Sequence, residues 1–480
     1  MRLFGRETGA GRSAHGSAGL LGTDDGAGVA PLLVQRGILT NKRKPPLPEA
    51  DVEGVDMAGV TGGAAAAAAL RAHLEGDDKD VLASQRWGVL SSVWILMCLR
   101  SLIATVPALE QSRYELIFLY YQPLLLGVMM VWLWGGVLGI WDTLRIYPSP
   151  LLVFQLEDVR THLTHTQVFQ IAAVLSLLFL TNLALFAWAC ANHLDSVAST
   201  MPVLAYMIPP AVLLWPFNSM YKKSRYFFVA TILRCLFPIH SISFADFFLA
   251  DVFTSLAKAI SDTERALCSM AAGPVLDAQK TAGGICGSTS WHIPFWLAWP
   301  SICRLLQCLR QFYDTREMSA LGNALKYCSV FPVIMLSAMK YHASPEDWLQ
   351  FYKPLWLTCS LLNSAFSFLW DVVFDFEFTL LSGRKCFTGR HFGLRNELLY
   401  SPDGKRGVYM YYWVLMSNFL LRISWTYKLS SHLRSHQMMS TMIALGEVFR
   451  RFQWMVIRVE RQYLSLTKSM KLNISYGNFN

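Results

Sequence analysis

The stretch LIFLYYQPLLLGVMMVWLWGGVLGIW, residues 116–141, decides the fold class of this 480-residue chain. It contains no Asp, Glu, Lys or Arg along its whole length. A helix of about 20 apolar residues crosses the roughly 30 Å hydrocarbon core of a bilayer. The stretch is therefore predicted to be a transmembrane helix.

The chain repeats this pattern on both sides of that stretch. Residues 161–194 and 196–221 are also uncharged, and residues 89–109 are interrupted only by Arg100. Together with weaker runs, the predicted spans are residues 89–109, 116–141, 161–194, 196–221, 244–260, 291–309, 322–339, 355–376, 407–429 and 438–460. This count of ten predicts an all-α, polytopic transmembrane helical bundle.

The composition supports lipid as the solvent, since 53% of the residues are hydrophobic and only 16% are charged. Soluble domains carry roughly a quarter of charged residues. The sequence contains no Walker loop, nucleophile elbow or HExxH motif. We therefore expect no catalytic residue, no metal site, no cofactor and no enzymatic activity.

The amino-terminal region differs from the rest. Residues 1–80 hold 14 of the 31 glycines but a single aromatic residue, Phe4, so they offer little from which to build a core. We predict a disordered, low-complexity tail at 1–84, either an unselective cytosolic tail or a docking arm. The remaining predicted regions are amino-terminal transmembrane helices at 85–243, a six-helix bundle with an anion pathway at 244–465 and a cytosolic tail at 466–480.

The distribution of Lys and Arg predicts the orientation. Lys and Arg accumulate in short cytosolic loops of membrane proteins. The connections 142–160, 221–243, 310–320 and 381–406 hold fourteen of them, against six on the opposite side. Both termini are therefore predicted to be cytosolic, and the net charge of +9 needs no nucleic-acid partner.

The predicted spans of the second half contain ionisable residues. Each of these costs at least ~2.5 to 3.5 kcal/mol at the centre of a bilayer. When Asp375, Arg458 and Glu460 are set aside as close to span ends, the acids are Asp251, Asp371 and Glu447, and the bases are Arg304, Lys326, Arg422, Arg450 and Arg451. These groups have three explanations: structural pairs that hold helices together, side chains at the membrane interface whose charged ends reach the headgroups, or an excess of two positive charges that binds an anion.

Phosphate is the anion that this set of side chains favours. Arginine forks match tetrahedral oxyanions with two parallel hydrogen bonds, and lysine adds a movable point charge. The carboxylates can accept the proton that phosphate still carries near neutral pH, whereas sulfate has none to offer. We therefore expect inorganic phosphate as the partner of the bundle.

Several ordered stretches resemble the EXS family of polytopic membrane proteins, which includes eukaryotic phosphate exporters and a Golgi branch. The resemblance covers roughly residues 117–465. The matching stretches are YKKSRY at 221–226, FADFFLAD at 244–251, RLLQCLR at 304–310, DTR at 314–316, NALKY at 323–327, LWD at 369–371, LRISWT at 421–426 and EVFRRFQW at 447–454.

The resemblance implies a phosphate conduit through the last six helices. The phosphate-contacting positions of the family fall on Asp251, Arg304, Lys326, Asp371, Arg422, Arg450 and Arg451. The gating tryptophan of the family matches Trp425. Thr254 departs from the pattern, because exporters of this type usually carry Asn there.

The resemblance also bears on regulation and location. Full-length exporters begin with an SPX domain, a basic helical sensor of inositol polyphosphates, and the first 80 residues here lack its aromatic and lysine-rich helices. The chain thus resembles the short Golgi branch, which is proposed to return phosphate to the cytosol and to help retain glycosyltransferases. We expect an integral membrane protein of the Golgi rather than of the plasma membrane.

Two readings of the function follow. The first is a transporter or channel for inorganic phosphate, and the second is a Golgi sorting or scaffold protein that binds coat adaptors and whose buried charges only hold the bundle together. A signalling receptor is a third, weaker reading. The small-residue face of Gly135 and Gly139 either packs within the chain or supports a homodimer, and the pairing of Cys268 with Cys286 stays open.

Overall fold

The computed structural model describes residues 90–144, 162–277, 285–381, 391–400, 407–429 and 437–477. The chain divides into two units, residues 1–79 and residues 80–480, and every described residue belongs to the second unit. The predicted tail at 1–84 lies outside the described residues. So do most of the basic connections at 142–160 and 381–406.

Regular secondary structure in the described part of the chain is entirely helical, which confirms the all-α prediction there. We number the helices in chain order. They are α1 (Leu90–Ala108), α2 (Gln111–Thr143), α3 (His165–Ala191), α4 (Asp195–Leu213), α5 (Lys222–Leu236), α6 (Phe244–Ser255), α7 (Ala257–Ala272), α8 (His292–Thr315), α9 (Met318–Met339), α10 (Pro345–Asp375), α11 (Val408–Arg422) and α12 (Gln437–Gly477).

Six of these helices, α1 to α4, α9 and α10, are long and apolar enough to cross a membrane. They coincide with six of the ten predicted spans. The other four predicted spans fall on α6 with α7, α8, α11 and α12, which are either shorter or less apolar than the six. The count of ten and the cytosolic termini therefore remain predictions.

Local sequence signals set the beginnings of two helices near the predicted membrane boundary. Thr164 and Gln167 form a reciprocal capping box at the start of α3, and Ser243 and Asp246 form another at the start of α6. In each box the side chains satisfy backbone N–H groups that the first turn of a helix leaves free. Asp246 also accepts a hydrogen bond from Arg234 of α5 at 2.7 Å, which joins α5 to α6.

Arg225, one of the basic residues in the predicted cytosolic connection 221–243, lies in α5 and binds the backbone instead of being exposed in a loop. Its guanidinium donates to the carbonyl oxygens of Val212, Trp215, Ser219 and Met220 at 2.7 to 3.0 Å. These carbonyls include ones that the end of α4 leaves without a helical partner. Arg225 is therefore buried and fixes the turn between α4 and α5.

The longest helix, α12, lies in the middle of the bundle. Residues 453–460 of α12 are all buried, so this part of the helix is covered on every side. Gly446 allows close packing of α11, because a Cβ atom there would lie only 2.9 Å from Leu421 Cδ2. On α2, Gly135 faces Phe169 of α3 in the same way, so this glycine packs within the chain.

Three of the spans predicted in the second half depart from a continuous α-helix. The single span predicted at 244–260 is two helices, α6 and α7, which meet at Leu256. Helix α9 is broken at Ser329, three residues before Pro332, whose ring cannot continue the hydrogen-bond ladder. Helix α10 ends in a π-helical turn at Asp371–Asp375, a feature often found at functional sites.

Candidate functional site

Asp251 of α6 is the centre of one group of buried charges. Arg304 Nε of α8 donates to Asp251 Oδ1 at 2.8 Å, and Tyr327 Oη of α9 donates to the same oxygen. Arg304 Nη1 also donates to Gln307 Oε1 at 2.6 Å. Asp251 and Arg304 are 2% and 1% exposed, so this is a fully buried ion pair that joins three helices.

Asp371 of α10 is the centre of a second group. Arg422 Nη2 donates to Asp371 Oδ2 at 2.7 Å, and Asn418 Nδ2 donates to the same oxygen at 3.2 Å. Arg450 Nη1 of α12 lies 3.5 Å from this carboxylate. Asp371 therefore joins α10, α11 and α12 through two guanidinium groups.

Glu447 and Ser255 connect the two groups. Arg450 Nε donates to Glu447 Oε2 at 2.9 Å, and Ser255 Oγ donates to Glu447 Oε1 at 2.9 Å. Arg451 Nε donates to Ser255 Oγ at 2.8 Å. Ser255 is the last residue of α6, so the break at Leu256 places its hydroxyl between two arginines of α12.

Among the described residues, Arg451 has no carboxylate at hydrogen-bond distance. Its guanidinium donates to the hydroxyls of Ser255 and Thr254, and its Nη1 lies 3.9 Å from Asp251 Oδ2. It also lies 4.5 Å from the centre of the Trp454 ring. Arg304 and Tyr327 both bind Oδ1 of Asp251, so Arg451 faces the second oxygen of an acid that it shares with Arg304.

Lys326 of α9 is the least compensated cation of the set. It is 7% exposed, and Nζ lies 4.6 Å and 5.4 Å from the centres of the Tyr327 and Trp370 rings. The described residues place no carboxylate within 4.0 Å of Nζ. Aromatic faces attract a cation, but more weakly than a carboxylate in the same place.

The structure thus brings together all seven predicted contact residues and assigns their partners. In the part of the chain that the structure describes, Arg304, Arg422 and Arg450 each pair closely with an acid, whereas Lys326 pairs with none and Arg451 only shares Asp251 at 3.9 Å. Two further N–H donors, Arg304 Nη2 and Arg422 Nε, are buried without a hydrogen-bond partner in the described part of the chain. The excess of two positive charges predicted from the sequence corresponds to Lys326 and Arg451.

The seven predicted contact residues, together with Glu447, form one cluster of buried charges. Trp425 lies beside this cluster rather than inside it. Its Nε1 donates to Ser364 Oγ of α10 at 2.9 Å, and its ring packs edge-on against Trp356 at 5.4 Å between centres. Ser364 is seven residues, or about two helical turns, before Asp371. Trp425 therefore lies at the end of the cluster opposite the carboxyl end of α10.

Sequence reasoning missed several residues of the cluster. Tyr327, Gln307, Ser255 and Asn418 are neutral, so a count of charges could not find them. Thr254, the departure from the exporter pattern, accepts a hydrogen bond from Arg451 at 3.0 Å.

Asp375 and Arg458 were set aside as lying near span ends, and the structure shows them 6% and 8% exposed. Glu460, the third residue set aside, is fully buried and pairs with Arg395, which is 9% exposed. Adding these two acids and two bases to the count leaves the excess of two cations unchanged.

Cys268 and Cys286 form a disulfide with their Cα atoms 5.8 Å apart. The bond ties the carboxyl end of α7 to the segment before α8. Among the described residues, no group of three His, Cys, Asp or Glu side chains is arranged to hold a metal ion.

Residues 117–464 match the EXS family. This match covers more than half of the chain and includes every residue of the cluster. The chain belongs to the EXS family. The resemblance read from the motifs around Asp251, Lys326 and Arg451 is thereby confirmed.

Individual EXS proteins share between a quarter and a third of their aligned residues with this chain. SPX and EXS domain-containing protein 1 of Dictyostelium discoideum is 28% identical over 385 residues, which are 78% of this chain and 40% of that protein. Human Solute carrier family 53 member 1 is 28% identical over 408 residues, 79% of this chain and 55% of that protein. The zebrafish (Danio rerio) Xenotropic and polytropic retrovirus receptor 1 homolog is 30% identical over 332 residues, 66% and 46% respectively. The chain thus spans about half the length of these relatives.

Proposed function

We propose that this EXS protein moves inorganic phosphate across a membrane, as a transporter or channel. The observation that carries the proposal is the burial of Lys326 and Arg451 without a carboxylate of their own. A buried cation without a counterion is costly, and a mobile anion removes that cost while it is bound. In a membrane protein, such groups mark an ion or substrate pathway.

The surrounding donors suit a protonated tetrahedral oxyanion. Arg304 Nη2 and Arg422 Nε are buried N–H groups without partners in the described residues, and the hydroxyls of Tyr327 and Ser255 lie among them. Guanidinium groups bind phosphate through directional pairs of hydrogen bonds. The carboxylates of Asp251 and Asp371 can accept the proton of hydrogen phosphate and keep the total attraction moderate.

Moderate attraction is what conduction requires, because an ion must leave the site as well as enter it. In the proposed mechanism phosphate exchanges its water for Arg304, Lys326, Arg422, Arg450 and Arg451. Trp425 gates one end by breaking its hydrogen bond to Ser364. In this proposal, phosphate movement is passive or ion-coupled and the chain has no enzymatic activity.

The names of the relatives are in keeping with this proposal. One is called a solute carrier and another a retrovirus receptor homolog, so at a coarse level the family is connected with transport or signalling at a membrane.

We further propose ten spans, cytosolic termini and residence in the Golgi membrane. The disulfide Cys268–Cys286 supports this orientation, since it lies in the segment predicted to face the lumen, and disulfides persist in oxidising compartments. Protease protection of tags placed at each terminus of the full chain tests the orientation. Fluorescence microscopy against Golgi and plasma-membrane markers tests the compartment.

Phosphate flux in reconstituted vesicles tests the function directly. The full chain should carry radiolabelled phosphate, and Arg451→Gln should lower the initial rate by about tenfold or more, the worth of one charge-assisted hydrogen bond. Arg310→Gln is the matched control, because Arg310 pairs with Asp314 at the surface of α8.

The scaffold alternative predicts a different outcome. A folded wild-type chain that carries no phosphate in either direction would contradict the transport proposal. That result would favour a sorting protein that engages coat adaptors or glycosyltransferases. A homodimer is compatible with either outcome.

A further inference from the structure

The turn that joins α4 to α5 exposes a large apolar surface. It consists of residues 214–221, LWPFNSMY, and every one of them is exposed. Five are large hydrophobic side chains, between 41% and 64% exposed: Leu214, Trp215, Phe217, Met220 and Tyr221. An apolar patch of this kind beside charged residues marks a surface that binds a partner or a membrane. We call residues 214–221 the apolar turn.

The apolar turn directly follows a helix that is long enough to cross a bilayer. Helix α4 ends at Leu213 and has 19 residues. At a rise of roughly 1.5 Å per residue it is about 28 Å long, close to the thickness of the hydrocarbon core. Trp and Tyr are enriched where the hydrocarbon meets the headgroups. With α4 across the bilayer, the apolar turn lies at that boundary, on the side that the distribution of Lys and Arg predicts to be cytosolic.

The backbone holds the side chains of the apolar turn outward. Arg225 donates to the carbonyl oxygens of Trp215, Ser219 and Met220 at 2.7 to 3.0 Å, so these polar groups point inward to one buried guanidinium. Met220 and Tyr221 both have positive φ angles, 53° and 54°, a conformation that residues other than glycine rarely adopt. Such strain persists only where the surrounding structure imposes it, and it is common at binding sites. The apolar turn is thus a fixed element of the fold.

Positive charge accompanies the apolar surface. Residues 196–245 include four Lys and Arg and no Asp or Glu. Lys222 and Lys223 directly follow the apolar turn, and Lys222 Nζ lies 5.7 Å from the centre of the Tyr226 ring. Tyr226 shares its face of α5 with Leu233 and with Phe237 just beyond the helix, and these three side chains are 44%, 52% and 62% exposed. The two lysines therefore lie at one end of an exposed apolar face.

Helix α5 is bonded to the start of α6. Arg234 Nε donates to Asp246 Oδ1 at 2.7 Å, and Cys235 Sγ donates to the carbonyl oxygen of Asp246 at 3.2 Å. Gln307 of α8, which binds an arginine of the buried cluster, donates to the same carbonyl at 3.3 Å. Asp246 lies five residues before Asp251 on α6. A displacement of α5 is thus transmitted through bonded groups to the cluster.

We propose that the apolar turn and the exposed face of α5 bind anionic phospholipids of the adjoining leaflet, and that the bound lipid holds α6 in the position that lets phosphate pass. Aromatic and aliphatic side chains enter the boundary between headgroups and acyl chains, while Lys222 and Lys223 bind headgroup phosphates. Cytosolic leaflets carry such anionic lipids. The lipid-binding part stands by itself, and the effect on phosphate movement rests on the proposed function.

Two other occupants of this surface are less compatible with its charges. A belt of neutral lipid accounts for the exposed aromatic rings, but not for four cations in a stretch of 50 residues without an acid. A second copy of this chain would bring the same patch to both sides of a two-fold axis, so Lys222 and Lys223 would face their own copies. Like charges at such a contact repel each other. Anionic phospholipid supplies both apolar chains and negative charge.

Native mass spectrometry of the full chain tests the binding of lipid. The protein in detergent is titrated separately with phosphatidylserine, which is anionic, and with phosphatidylcholine, which has no net charge. The double variant Lys222→Gln/Lys223→Gln removes the two charges, and Lys222→Arg/Lys223→Arg retains them. Lys468→Gln is the matched control, because Lys468 is an exposed lysine of α12 on the side predicted to be cytosolic.

We expect the wild-type chain to bind phosphatidylserine more tightly than phosphatidylcholine. The glutamine double variant should lose about 20-fold in affinity for phosphatidylserine, roughly fivefold for each lysine, and the arginine double variant and Lys468→Gln should match the wild type. Equal affinity of the wild type for the two lipids, or an unchanged affinity in the glutamine double variant, would overturn the proposal. Loss of a dimer instead of lipid in that variant would assign the surface to a second copy.

Phosphate flux in vesicles tests the connection to α6. Wild-type flux should be about fivefold or more higher in vesicles that contain phosphatidylserine than in phosphatidylcholine alone, the lower end of typical coupling between two sites. The glutamine double variant should lose this difference and keep the wild-type rate in phosphatidylcholine. Equal wild-type flux in both kinds of vesicle would overturn the coupling alone. A wild-type chain with no flux in either lipid would contradict the proposed function, while the binding measurements would still decide the lipid site.

Discussion

The helices α1 to α5 and the helices α6 to α12 of this EXS protein are held together by different chemistry. In the first region, neutral hydrogen bonds link helices, such as Tyr121 to Asn182 at 2.7 Å and Tyr206 to the carbonyl of Tyr120 at 2.9 Å. In the second region, ion pairs such as Arg304 with Asp251 are buried at the same depth.

This difference bears on the scaffold reading. Neutral side chains and aromatic packing suffice to assemble α2, α3 and α4, so assembly of helices does not require buried charge in this chain. Buried ion pairs are weak evidence for stability, because desolvation offsets most of the attraction. The buried charges of the second region are in keeping with the proposed phosphate pathway.

The largest expected effect tests that contrast at Arg304. Arg304→Gln leaves Asp251 buried without its main counterion, and we expect the free energy of unfolding to fall by about 3 to 5 kcal/mol. Thermal unfolding in detergent, monitored by the near-ultraviolet signal of the tryptophans, measures it. The double variant with Asp251→Asn should recover most of the loss, whereas a double variant as unstable as the single one would contradict the pairing.

A second prediction separates function from stability at Lys326. Lys326→Met removes a buried cation that has no carboxylate of its own, so we expect stability to stay level or rise while phosphate flux falls about tenfold or more. Radiolabelled phosphate flux in vesicles measures the loss of transport, and thermal unfolding of the same preparation measures the change in stability. Loss of stability with flux intact would mean that Lys326 is structural.

A third prediction concerns the gate. Trp425→Phe keeps an aromatic ring against Trp356 but removes the hydrogen bond to Ser364, worth about 0.5 to 1.5 kcal/mol. If the bond must break for phosphate to pass, flux should rise by roughly twofold to tenfold. Ser364→Ala removes the same bond from the other side and should act in the same direction. Opposite effects of the two variants would exclude this gating role.

The smallest effect is expected in the first region, at the exposed ion pair of Arg113 with Asp195. These side chains are 21% and 63% exposed and lie 3.1 Å apart. Arg113→Gln should change the free energy of unfolding by about 0 to 1 kcal/mol and leave phosphate flux unchanged. A change in flux would show that the first region takes part in the pathway and would weaken the contrast between the two regions.

Much of the candidate site could be predicted from the sequence, because a charged residue inside an apolar run is recognisable from the sequence alone. Asp251, Arg304, Lys326, Asp371, Arg422, Arg450 and Arg451 all interrupt apolar runs and all meet in the structure. The neutral partners Ser255 and Tyr327 gave no such signal, since hydroxyls are common in helices of any kind. Distance from a predicted span end was a poor guide to burial at Asp375, Arg458 and Glu460, all of which are buried in the structure.

By itself, then, the sequence determined the helical class, the charge excess and membership of the EXS family. Each of these depends on which residues are present and in what order. Only the tertiary structure decided which cations have an acid, which helices break and which residues face one another around α12. A bundle can satisfy the same charges through many pairings, and the packing of α6, α8, α10 and α12 selects one that leaves Lys326 and Arg451 without a carboxylate of their own.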